Sequence, residues 1–171
     1  VITFGDIDIQ QQENLERWLK HEPTWLAQRL ASLGLSERQT VIIDTPAGNN
    51  VYFHQALNVA DVVLVIVQAD AACLGTLDHL DVLLAPHLEG DNPPTVQVVV
   101  NQVDESNPFS LDMVEAFKQR LGTAPLEVHR DMAINEALAF AADPLDSVAK
   151  RLASDDISEI CRVLKAPKRS A

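Results

Sequence analysis

The sequence predicts an α/β fold, a mostly parallel sheet flanked by helices in three layers. Three observations carry that expectation. The run Val-Val-Leu-Val-Ile-Val at 62–67 has no polar alternation and is far too short to span a bilayer, so it reads as a strand buried on both faces. Other strand-length stretches rich in apolar or β-branched residues lie at 41–43, 95–100 and 126–128. Between them, leucine, valine and phenylalanine repeat at three- and four-residue intervals, the period of helices that cover a sheet.

In chain order, residues 1–4 suit a short strand, and Leu15, Trp18 and Leu19 share one helical face. Pro23 suits the first turn of the next helix, which carries Leu26, Leu30 and Leu33, and Gly34 suits its end. A strand at 41–43 leads through the turn at 46–50 into a short helix at 51–58, and the 62–67 strand follows. A helix at 74–84 places Leu77, Leu80 and Leu84 on one face. The Glu-Gly-Asp-Asn-Pro-Pro loop at 89–94 separates it from a strand at 95–100. Leu111, Val114 and Phe117 face inward from a helix at 111–121, a last short strand occupies 126–128, and helices at 132–141 and 147–164 close the fold. No internal repeat or low-complexity linker interrupts the chain, so residues 1–171 are expected to form a single domain.

With 47% hydrophobic and 22% charged residues, the composition is that of a folded chain with ample material for a core. No apolar run is long enough for a transmembrane segment, and Gly5, Asp6 and Asp8 interrupt the start before the apolar stretch of a signal peptide develops. Cys73 and Cys161 lie far apart with no C-x-x-C, so neither a disulfide framework nor a zinc site is indicated; a reducing cytosol suits them. The formal net charge of −12 argues against broad electrostatic binding to nucleic acid. Only the tail from Lys165 to Arg169 is locally basic, and it reads as a solvated chain end.

Open parallel sheets hold ligands at the carboxyl ends of their strands, and three stretches place polar residues there. In Val-Ile-Ile-Asp-Thr-Pro-Ala-Gly at 41–48, Asp44 is a carboxylate leaving a buried strand. Beside a triphosphate such a group can hold magnesium through water, because that hard ion keeps much of its hydration shell. Gly48, without a side chain, lets its backbone N–H approach a γ-phosphate and lets the segment rearrange. Read structurally, the same two residues start a turn and supply an unusual dihedral. In Val-Val-Val-Asn-Gln-Val-Asp at 98–104, the amide of Asn101 offers a donor and an acceptor together, as a purine edge requires; Asn101 and Asp104 also suit an ordinary turn. In the third stretch Arg130 suits stacking on a base or pairing with a carboxylate, and Asp131 suits the cap of the helix that follows. The histidines at 21, 54, 79 and 87 lack metal-ligand spacing and read as surface or packing residues.

Taken together, Ile-Asp-Thr-Pro-Ala-Gly at 43–48, Ala-Asp-Val-Val-Leu-Val-Ile-Val at 60–67, Asn101 and the His129-Arg130-Asp131 segment resemble the MinD/ParA group of deviant P-loop ATPases. The resemblance runs over residues 2–164. Segment 128–139, Val-His-Arg-Asp-Met-Ala-Ile-Asn-Glu-Ala-Leu-Ala, is most similar to the cellulose-biosynthesis branch of that group, the BcsQ (YhjQ) family. The resemblance implies a P-loop NTPase-like fold and, in the intact protein, ATP and magnesium as cofactors. It implies that Asp44, Gly48, Asn101, Arg130 and Asp131 lie at the nucleotide, with Asp44 holding magnesium through water. It further implies a homodimer formed around nucleotide, partners among the cellulose synthase complex subunits, and a cytoplasmic protein recruited to the inner membrane by those partners.

Relatives in this group often have proline where His129 stands, which puts the contact to adenine there in doubt. Moreover, GTPases commonly carry N-K-x-D where this chain has Asn101-Gln102-Val103-Asp104, which weakens guanine recognition. No G-x-x-x-x-G-K-[ST] occurs in the 171 residues. The resemblance therefore predicts that the phosphate loop, the signature lysines and the aspartate that positions the attacking water lie upstream of Val1, so that the fold is truncated at its amino-terminal end and this fragment supplies no catalytic residue. It also predicts that something closes the gap beside strand 62–67: direct pairing with 41–43, a strand from 1–4, or a second copy of the chain. Two other readings share the fold, a non-enzymatic adaptor and a ParA-type partition ATPase; the latter needs a basic DNA-binding patch that the acidic balance disfavours.

Overall fold

Side-chain caps and apolar runs set the element boundaries in the computed structural model, which describes residues 5, 7–36, 38–142 and 152–165. The strand expected at 1–4, the basic tail beyond Lys165 and the first residues of the helix expected at 147–164 lie outside the described residues. The chain packs as two compact units, Val1–Asp61 with Ala85–Pro94, and Val62–Leu84 with Thr95–Ala171.

The first unit contains helices α1 (Ile9–Leu19), α2 (Trp25–Ser32) and α3 (Val51–Leu57). Asp8 and Gln11 form a capping box at the start of α1, in which each side chain satisfies the other's backbone N–H. Pro23 precedes α2 instead of entering its first turn, because Thr24 is the cap residue. The α1–α2 corner is fastened from α3 by Gln55, which is only 4% exposed. Its Nε2 donates to the carbonyls of Leu19 at 3.2 Å and Glu22 at 2.7 Å, and its Oε1 accepts from the Leu26 N–H at 3.1 Å. Both ends of the corner are thereby satisfied by one buried amide.

The strand expected at 41–43 is corrected by the structure, in which these residues make no ladder and are exposed, Val41 to 44%, Ile42 to 89% and Ile43 to 37%. A strand exists only where a second backbone accepts its hydrogen bonds. Among the described residues, none pairs with 41–43, so direct pairing with 62–67, one of the three expected ways of closing the gap, is not observed.

The second unit alternates strand and helix: β1 (Val62–Gln68), α4 (Ala71–Leu88), β2 (Thr95–Val103), α5 (Pro108–Leu121), β3 (Leu126–His129), α6 (Met132–Ala139) and α7 (Leu152–Lys165), with the last turn of α4 belonging to the first unit. The three strands are parallel in the order β1-β2-β3, which confirms the α/β class. Because successive residues of a strand face opposite ways, β2 serves two cores. Val100 and Val103 join Val67, Leu77 and Phe117 on one side, while Val99 joins Val128 and Ala153 on the other. Helices therefore cover both faces.

α4 starts three residues before the expected 74 because the Asp70 carboxylate accepts from the Cys73 N–H at 2.7 Å. Pro108, preorganised for a first helical turn, starts α5 behind the Asn107 cap, and Gly122 at φ +69° ends it. Leu111, expected inward, is exposed, whereas Phe117 is fully buried. No helix among the described residues is long and apolar enough to cross a membrane.

Candidate functional site

The carboxyl ends of β1, β2 and β3 surround a shallow cleft of about 160 Å³ lined by Gln68, Ala69, Asp70, Gln102, Asp104, Asn107, Ser110 and Arg130. Its floor is set by an irregularity in the sheet. Asn101 pairs with Val128 and Val103 with His129, which leaves Gln102 unpaired at φ +58°, a left-handed conformation uncommon outside glycine. Past this bulge, the Arg130 N–H donates to the Val103 carbonyl at 2.8 Å.

The wall is a self-bonded loop. The Asp104 carboxylate accepts from the Ser106 hydroxyl at 2.6 Å and N–H at 3.0 Å, while the Asp104 N–H donates to the Ser110 hydroxyl at 3.0 Å. The Ser106 hydroxyl first, its N–H next and then Arg130 hold the Asp104 carboxyl below the usual carboxylate range. Arg130 reaches Asp104 at 3.7 Å and stays mostly exposed. The cleft thus presents amides, carboxylates and one guanidinium, a mixed donor and acceptor set suited to a small planar polar ligand.

The residues singled out from sequence fall as follows. Asn101 stands at the end of β2, where its Oδ1 accepts from the Gln102 N–H at 2.9 Å; one lone pair is used locally and the amide donors remain. Asp131 accepts from the Ala133 N–H at 2.9 Å, the capping role at α6. Asp44 and Gly48 lie in the first unit. Asp44 is exposed, and Gly48 has φ +84° with nothing within 4 Å of where a Cβ would stand. Among the described residues, no cluster of three or more His, Cys, Asp or Glu is arranged to hold a metal directly. A single exposed carboxylate fits a hydrated ion held through water.

Sequence reasoning missed Asn50, whose Nδ2 donates to the carbonyls of Pro46 at 3.0 Å, Ala47 at 3.4 Å and Gly48 at 3.0 Å while its Oδ1 caps α3 at the Phe53 N–H at 3.0 Å. An asparagine just before an apolar helix was the available signal. It also missed the bulge at Gln102 and the clamp on His129, whose N–H and Nδ1–H both donate to Asp156 of α7, at 2.8 and 2.9 Å. Local sequence carries no signal for either, since both depend on partners in other elements.

A family model described as cellulose biosynthesis protein BcsQ matches residues 1–163. The chain belongs to the BcsQ family. A similar solved structure is that of a plasmid partition protein from Borrelia burgdorferi B31 bound to AMPPNP, with a TM-score of 0.54 at 14% identity over 68% of this chain. The alignment covers 45% of that protein, so this chain spans less than half its length. At that identity the likeness establishes the fold alone. No curated protein matches the chain significantly. Within this BcsQ-family fold, the cleft lies at the strand ends where open parallel sheets bind ligands.

Proposed function

We propose that this chain carries the base-side and metal-side segments of an ATP-dependent MinD/ParA-type switch that regulates bacterial cellulose synthesis, with cellulose synthase complex subunits as partners. The BcsQ-family match over residues 1–163 carries this reading. Asn101 and Arg130 take the adenine, the first through its amide donors and the second by stacking. Asp131 sets the start of α6 beside them, Gly48 offers its N–H to the γ-phosphate, and Asp44 holds magnesium through water. When bound, magnesium neutralises charge on the β- and γ-phosphates during transfer. The intact protein dimerises around nucleotide in the cytoplasm and reaches the inner membrane through its partners.

Calorimetry on the 171-residue chain is expected to show weak ATP binding or none, since it holds no G-x-x-x-x-G-K-[ST]. In the intact protein, Asn101→Ala should erode the preference for ATP over GTP, and Asp44→Asn should slow magnesium-dependent hydrolysis while leaving the fold intact. Both should lower cellulose output. GTP bound more tightly than ATP, with the preference lost in Asp104→Ala, would overturn the adenine assignment. A second reading is a non-enzymatic adaptor that keeps the fold. Cellulose lost on deletion of the whole protein but untouched by both substitutions would establish it.

A further inference from the structure

The geometry points to a proton-operated latch in the first unit: His54 and His87 hold Asn49 of the 46–50 turn while they share at most one extra proton, and release it when both rings are charged. The latch is a chain of two hydrogen bonds. His54 Nε2 lies 2.7 Å from Oδ1 of Asn49, and His54 Nδ1 lies 3.2 Å from Nε2 of His87. An amide oxygen only accepts, so neutral His54 carries its proton on Nε2 and leaves Nδ1 as an acceptor. His87 then donates from Nε2, and the tautomers of both rings are set. His54 belongs to α3, His87 to the last turn of α4, and Asn49 adjoins Gly48 in the turn. All three residues lie in the same compact unit, and both rings are half-buried.

Proton counting shows where the latch opens. In the uncharged pair the facing nitrogens hold one N–H and one lone pair. One added proton preserves that match, because the charged ring donates to the other. A second puts an N–H on both facing nitrogens and like charges on rings whose centroids are 5.5 Å apart. Among the described residues, neither ring forms an ion pair with a carboxylate that would offset this. Tyr52 of α3 turns its hydroxyl to Glu16, Arg29 of the adjoining α2 lies over Trp25, and Asp44, Glu89 and Asp91 of the flanking segments are exposed. Burial first and the His54 charge second hold the His87 imidazole below its ordinary range. The folded chain therefore binds that proton more weakly than the unfolded chain. The stability the pair contributes is complete above the ordinary histidine range and disappears as pH falls through the lowered value. Asn50 still ties the carbonyls of Pro46, Ala47 and Gly48, so release is local to Asn49 and the His87 turn. Any effect on nucleotide rests on the γ-phosphate role given to Gly48 above; the latch does not, and it is tested without nucleotide.

The full chain, free of nucleotide, is titrated by NMR from about pH 8 to about pH 5, the span in which histidines change charge. His87 should titrate below the ordinary value of about 6.5, and the backbone amide signals of Gly48 and Asn49 should shift with the same midpoint. Asn49→Ala cuts the chain, so in that variant the Gly48 signal should cease to follow His87. Urea unfolding is read in parallel from Trp18 and Trp25, the two tryptophans of the chain, both in the first unit. His87→Gln supplies an amide that donates or accepts but takes no charge. Its urea midpoint should match the wild type at about pH 7.5 and exceed it at about pH 5. A His87 midpoint at or above the ordinary value, Gly48 and Asn49 signals that stay still while His87 titrates, a Gly48 response unchanged in Asn49→Ala, or urea midpoints of wild type and His87→Gln that run parallel with pH would each overturn the proposal.

Discussion

A single side chain, Gln55, holds the first unit's corner by occupying two carbonyls and one N–H in a place with little access to water. Gln55→Ala leaves those groups without that partner, and each buried unsatisfied group costs about 1–3 kcal/mol. The expected loss is about 2–4 kcal/mol in total, read as a lower urea midpoint with tryptophan emission as the signal; a shift within error would show that water replaces the amide at no cost. Asp104 acts at the same level through protons. Its carboxyl is held below the usual range by Ser106 and then by Arg130, so the folded state binds its proton more weakly than the unfolded chain. Its contribution is therefore complete above the ordinary carboxylate range and disappears as pH falls through the lowered folded value. Asp104→Asn should remove that part of the acid-side loss of stability, and identical acid unfolding curves for the two proteins would show that the loop bonds do not favour the charged form.

Among the elements, α3 and the turn before it depend on one residue. Asn50 caps the helix through its Oδ1 and ties three turn carbonyls through its Nδ2. Loss of a cap costs about 1 kcal/mol, so Asn50→Ala should destabilise the first unit by at least that much. Asn50→Asp keeps the capping oxygen and loses the amide donor, so it should recover the helix-capping part and leave Gly48 less restrained. Hydrogen exchange at 46–53 separates the two: protection at Phe53 restored by Asp but not by Ala supports the division of roles, and equal exchange in both variants contradicts it. The strands show a comparable dependence. β2 runs to Val103, past the expected end at 100, because β3 continues to pair with it beyond the Gln102 bulge.

For the molecule as a whole, an exposed apolar stretch and an open sheet edge coexist. Ile42 is 89% exposed in a segment that makes no ladder among the described residues, and β1 is an outer strand of the described sheet, with Leu64 and Ile66 exposed. Unpaired strand backbone beside apolar side chains templates pairing with another chain. The 171-residue chain should therefore self-associate as concentration rises despite its charge of −12, and Ile42→Lys should delay the onset in static light scattering. Coincident onset for the two proteins would place the cause outside segment 41–43.

The helices and the strand at 62–68 were readable from composition and spacing because they express local properties. A periodic apolar face or an unbroken apolar run biases its own backbone wherever it is placed. The places of Asn101 near the end of β2 and of Asp131 at the start of α6 follow from the same local signals. Segment 41–43 shares the β-branched character of the true strands yet makes no ladder, because pairing is a property of two segments and this one has no partner among the described residues. The cleft depends on tertiary structure in the same way. Gln68 of β1, Gln102 of β2 and Arg130 after β3 line one space only because parallel register and one bulge bring three strand ends side by side. Gln55 and Asp156 were equally invisible, since their partners are 27 or more residues away and only the packed fold sets those distances.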